Sequence, residues 1–190
     1  MRVKKIILGA LSGGIVAYLW GVLSWMILPW HMEKFSEVKN QDKFISLVKE
    51  NFTESGIYLI PNFPKNPDPD VQNEYMRKKS EGPSGILFLN PHGSVNFQSA
   101  MIVDIVLKLI YAALLSILSI FLALKCFYQR AFALTLFATM GGILIHLNNW
   151  NWWGYPLGFT LIEIFDLIVA WLLASLAIAK LTAPIKVEDS

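Results

Sequence analysis

Ile6-Ile7-Leu8-Gly9-Ala10-Leu11-Ser12-Gly13-Gly14-Ile15-Val16-Ala17-Tyr18-Leu19-Trp20-Gly21-Val22-Leu23-Ser24-Trp25-Met26-Ile27-Leu28 contains no charged residue. A hydrocarbon layer about 30 Å thick needs roughly 20 apolar residues in a helix rising about 1.5 Å each. This stretch is long enough to cross such a layer, and three more segments match it. Residues 98–124 are interrupted only by Asp104 and Lys108, residues 131–150 hold one ionisable group, His146, and residues 157–179 hold Glu163 and Asp166. The sequence therefore predicts an all-α membrane bundle of four transmembrane helices. It divides into residues 1–28 (N-terminus and first span), a small extracytoplasmic α/β cap at 29–97, and residues 98–190 with spans two to four and the C-terminus.

Composition agrees. Of 190 residues, 55% are hydrophobic and 16% charged, where a soluble domain has about 25% charged residues. The shortfall is uneven, because residues 30–93 hold 17 of the 30 charges. Disorder is excluded by the apolar content, and a disulfide-stapled scaffold by the single cysteine, Cys126. A net charge of +2 gives no basic footprint for nucleic acid. Met1-Arg2-Val3-Lys4-Lys5 looks like the start of a secretory signal, but the apolar stretch is too long and no small-residue cleavage site follows Leu28, so a retained anchor is expected.

Basic flanks set orientation. Arg2, Lys4 and Lys5 precede span one, Lys125 and Arg130 lie between spans two and three, and Lys180 and Lys186 follow span four. The turn at 151–156 has none. Both termini are expected to be cytoplasmic. Trp25, Trp30, Trp150, Trp152, Trp153 and Tyr155, with Phe97 and Phe159, form an aromatic rim at the opposite interface, where amphipathic rings are favoured.

Inside the cap, apolar residues recur at helical spacing over 33–52. Asp68-Pro69-Asp70 opens a second helix, which the basic run Arg77-Lys78-Lys79 and Gly82-Pro83 close. Short apolar runs at 56–61 and 85–91 read as strands. Gly93-Ser94 reads as a turn into span two. Asn51-Phe52-Thr53 is a glycosylation sequon, relevant only in a eukaryote.

Span one repeats small residues at Gly9, Gly13, Ala17 and Gly21, a helix-packing face whose partner is another span or a second copy of the chain. Span two carries Asp104, Lys108, Ala112, Ser116 and Ser119. Thr135, Thr139, Gly142 and His146 share one face of span three, and Glu163, Asp166, Ala170, Ala174 and Ala177 follow along span four. These seams point inward and form an intramembrane polar cluster of Asp104, Lys108, His146, Glu163 and Asp166. By depth, Lys108 is expected to pair with Asp166, because a lone charge there costs at least about 2.5 kcal/mol. The cluster is either a register-fixing network or an ion path. His31, His92 and His146 with Glu163 lack compact metal-ligand spacing, so no metal is expected. Phosphate-loop, nucleophile-elbow and zinc-protease motifs are missing, so no cofactor is expected and a membrane enzyme ranks third among the readings. Cys126 beside Lys125 has no visible base.

The segments at 20–31, Trp-Gly-Val-Leu-Ser-Trp-Met-Ile-Leu-Pro-Trp-His, and 149–156, Asn-Trp-Asn-Trp-Trp-Gly-Tyr-Pro, resemble those of small bacterial inner-membrane proteins with four predicted spans. The resemblance implies a multi-pass protein of that membrane and carries no activity or catalytic residue. The expected function is a non-enzymatic accessory or scaffold subunit, with the lipid bilayer and a second copy or another membrane protein as partners. The alternative is a small transporter or channel-like protein moving protons or cations through the polar cluster.

Overall fold

The computed structural model describes residues 2–65, 68–93 and 96–184. Along the chain run α1 (Arg2–Val22), a π turn (Leu23–Ile27), a 3-10 turn (Met32–Lys34), α2 (Gln41–Asn51), β1 (Gly56–Ile60), α3 (Pro69–Glu81), β2 (Gly85–Leu89), α4 (Phe97–Leu122), α5 (Phe127–Trp153) and α6 (Leu157–Leu181). Helix α1 with its π turn, α4, α5 and α6 are each long and apolar enough to cross a membrane. The chain divides into two units, one gathering these long helices and the turns up to Phe35, the other gathering α2, β1, α3 and β2.

The helical unit is organised around the side-chain-poor face of α1. Gly9, Gly13, Gly14 and Ala17 are buried. A Cβ at Gly9 would lie 2.3 Å from Ser116 Oγ on α4, and one at Gly13 would lie 2.6 Å from Ile178 Cδ1 on α6. At Gly14 it would lie 2.8 Å from the Cα of Leu109, so α1 meets α4 backbone to backbone. The predicted stripe thus packs within its own chain, with Gly14 added to it. A Cβ at Gly21, its last member, would lie 3.7 Å from the Lys108 ammonium. Leu115, Leu134, Ala138, Trp171, Ala174 and Ile178 belong to the buried cluster around this contact. Helix α5 joins through the Tyr111 hydroxyl, which donates to the Ala138 carbonyl at 3.2 Å.

Arg130 departs from expectation. Instead of standing in a turn, it lies in the first turn of α5 and is buried. Its guanidinium donates to the Ala179 carbonyl at 3.1 and 3.0 Å, to the Lys125 carbonyl at 3.0 Å, and to the Leu124 carbonyl. Carbonyls in the last turn of a helix lack intrahelical donors and sit at the negative end of its dipole. The forked guanidinium ties the last turn of α6 to the loop that follows α4. Helix α4 stops where Ala123 takes a left-handed conformation (φ 48°), two residues short of the expected end.

In the second unit β1 and β2 pair antiparallel, with Gly56 opposite Leu89 and Ile60 opposite Gly85. The Asp68 carboxylate caps α3 by accepting from the Asp70 N–H at 2.9 Å, Pro69 fills the first helical position, and Gly82 (φ 74°) ends the helix. The single helix expected over 33–52 divides into the 3-10 turn and α2. Asn40 starts α2 by accepting from the Lys43 N–H at 3.2 Å, an N-cap that breaks the apolar periodicity before it. Ser94 and Lys186 lie outside the described residues.

Two outcomes test these contacts by thermal unfolding in detergent. Gly14→Ala forces α1 off α4 and lowers stability by about 1–3 kcal/mol, the usual cost of overpacking. Gly141→Ala, with nothing within 4 Å of the added carbon, leaves it unchanged or slightly raised. Arg130→Ala strands several carbonyls and costs about 1–3 kcal/mol for each one left buried and unpaired. Arg130→Lys recovers only part, because one ammonium cannot span the α6 end and that loop.

Candidate functional site

The site begins where α1 stops being an α-helix. Over Leu23–Ile27 the helix widens into a π turn, with the Leu28 N–H reaching back to the Leu23 carbonyl at 3.1 Å. Pro29 has no N–H to extend the ladder, and the residue before a proline is pushed to extended geometry. Leu28 adopts φ −84°, ψ 139°. The chain then folds back, with the Glu33 N–H on the Pro29 carbonyl at 3.0 Å and the Lys34 N–H on the His31 carbonyl at 3.1 Å. This reversal carries His31 inward until it is completely buried.

Four groups hold the imidazole. The Trp25 indole lies flat on it, ring centres 3.9 Å apart and planes 11° apart. Nε2 stands 3.1 Å from Ser24 Oγ and 3.2 Å from Asp166 Oδ2. Nδ1 faces Glu163 Oε1 at 3.4 Å. Ser24 accepts the Trp30 indole N–H at 2.9 Å, and Asp166 accepts the Trp20 indole N–H through Oδ1 at 2.6 Å. Glu163 and Asp166, three residues apart on α6, share one face of that helix.

The proton content follows from these distances. Asp166 receives N–H groups on both oxygens, which suits a carboxylate. Nε2 therefore carries hydrogen, an assignment drawn from its partners. Across the ring, His31 Nδ1 and Glu163 Oε1 are both buried and neither makes a hydrogen bond to any other group. With a neutral ring and an ionised Glu163, two lone pairs would face each other, a costly arrangement for buried acceptors. One proton in that gap resolves both, as an imidazolium or as a carboxylic acid. With that proton in place His31, Glu163 and Asp166 together carry a charge of −1.

All five residues of the predicted polar cluster line one cavity of about 460 Å³, partly open, within the helical unit. Its walls also include Trp20, Trp25, Met101 and Trp171. The expected pairing is corrected. Lys108 bonds to Asp104 on its own helix, and no Lys108–Asp166 ion pair forms among the described residues. Side chains at i and i+4 are neighbours at little entropic cost, while Asp166 is occupied by Trp20 and His31. His31 itself escaped the predicted cluster. Its signal was the Leu-Pro-Trp-His sequence closing an apolar span, where a proline forces the chain to reverse.

Of the aromatic rim, Trp25 and Trp30 serve this site, and Trp30 also meets Phe165 edge-on at 5.6 Å. Trp150, Trp152 and Trp153 end α5 with exposed rings, and Tyr155 stands 6.3 Å from Phe159. Among the described residues no three histidine, cysteine or acidic side chains are placed to hold a metal ion. Cys126 is exposed at the start of α5, where the backbone N–H groups of Gln129 and Tyr128 hold its thiol below the ordinary value.

Compared with known proteins, the chain matches no family model, no curated protein and no solved structure.

Proposed function

We propose that this chain is a multi-pass protein of a bacterial inner membrane that binds a proton at the His31–Glu163–Asp166 trio and passes it on as a small transporter. The observation that carries the reading is the 3.4 Å gap between His31 Nδ1 and Glu163 Oε1, two buried groups that a single proton satisfies. Ionisable groups in membrane-embedded helices are costly and serve as functional candidates by default. Orientation with both termini in the cytoplasm rests on Arg2, Lys4, Lys5, Lys125, Arg130 and Lys180 at one end of the helices. On that topology α2, β1, α3 and β2 form an extracytoplasmic cap. Exposed Phe121, Phe132 and Leu144 on the outer faces of the helices suit contact with lipid.

The accessory-scaffold reading draws on the small bundle, the packing face of α1 and the aromatic rim. Helices α4 and α6 occupy the α1 face, and the exposed rings of Trp150, Trp152 and Trp153 are what it retains.

The test is flux in liposomes carrying an internal pH dye. Wild type relaxes an imposed pH gradient. Glu163→Gln, which removes an oxygen that makes no hydrogen bond, stays folded and loses the flux. Folded Glu163→Gln with undiminished flux sinks the proposal.

A further inference from the structure

We infer that the cavity is a binding site for a singly charged organic ammonium with an apolar or aromatic body. The inference rests on the reading that the His31–Glu163–Asp166 trio keeps one proton, and it names the class of ligand the same site takes.

Charge gives the first argument. Around the cavity α4 contributes Asp104 and Lys108, which pair with each other and sum to zero. Helix α5 contributes His146, and α6 contributes Glu163 and Asp166. With one proton on the trio and a neutral His146, the cavity carries one net negative charge. A single uncompensated charge among membrane helices costs at least about 2.5 kcal/mol, and one monovalent cation cancels it. An anionic ligand would double it.

Size and wall chemistry give the second. A cavity of about 460 Å³ falls within the range of small-molecule sites, roughly 300–1,000 Å³, and far exceeds a bare metal ion. A bare ion also needs several converging oxygens or nitrogens, and no such group of three exists among the described residues. Most of the wall is apolar, with Trp20, Trp25 and Trp171 supplying ring faces or edges. Aromatic faces attract an organic cation that has shed its water. They offer nothing to a strongly hydrated inorganic ion.

The third argument is the open carboxylate. Glu163 belongs to the lining and its side chain keeps 21% of its surface exposed, whereas Asp166 is engaged on both oxygens by Trp20 and His31. An ammonium seated at Glu163 donates to its carboxylate with the Asp166 charge close by, and its apolar body lies against Trp25 and Met101.

The experiment uses the full chain in lipid nanodiscs, equilibrium dialysis with radiolabelled 2-phenylethylammonium, and empty nanodiscs as baseline. The expected result is saturable binding of one cation per chain, absent for phenylmethanesulfonate, an aromatic anion of similar size. Glu163→Gln, checked for folding by circular dichroism and gel filtration, lowers affinity about tenfold or more, equivalent to about 1.4 kcal/mol. Trp25→Leu weakens binding as well. Non-saturable uptake, equal binding of the sulfonate, or unchanged affinity in folded Glu163→Gln each overturns the inference. The liposome pH assay, run without organic cation, separates the two readings. Ammonium binding without proton flux removes proton passage and leaves this site standing, whereas flux without ammonium binding removes the site alone.

Discussion

The close approach of α1 to α4 and α6 governs everything else in the helical unit. In a membrane no hydrophobic effect draws helices together, so association depends on how near their backbones come. Gly9, Gly13 and Gly14 remove the atoms that would hold α1 away, to the point that an added Cβ at Gly14 would sit 2.8 Å from the Leu109 Cα. That proximity brings the far end of α1 within reach of α6, so that Trp20 donates to Asp166. The fold-back at Pro29 then finds carboxylates waiting for His31. Without the glycine contact there would be helices but no site.

The site joins two tendencies that usually oppose each other. Its polar groups are buried among tryptophans, where an unmet acceptor is expensive, yet they are not fully met. Asp166 is saturated by Trp20 and His31, and Lys108 by Asp104. Glu163 is the group left wanting. A structural network fixing helix register would be expected to close on itself. This one stops at a carboxylate lining a partly open cavity.

Much of the helical architecture was legible because hydropathy and length decide it almost alone. The ends were less so: Arg130 reads as a loop charge in sequence, and only the position of Ala179 explains its burial. In the second unit, the cap residues Asp68, Pro69 and Gly82 marked α3 directly, while Asn40 was an interruption that apolar periodicity over 33–52 concealed. For the site, spacing placed five residues on inward faces and they do line one cavity. Their partners could not be read in the same way. Pairing depends on the rotation of α6 about its axis and on where the chain travels after Leu28, which no periodicity encodes. So the Lys108–Asp166 pair was expected where Lys108–Asp104 forms, and His31 was counted with the cap.

The π turn at Leu23–Ile27 has an evolutionary implication. Such a turn is an α-helical turn carrying one additional residue. Deleting one residue there would restore regular winding, turn all that follows by about 100° and shorten its reach by about 1.5 Å. His31 would leave its carboxylates, while the glycine face, lying earlier in α1, would be untouched. A single codon gained or lost at that point thus separates a chain that keeps only the bundle from one that also buries His31 against Glu163 and Asp166. Ancestors and descendants with the same bundle need not share the same task.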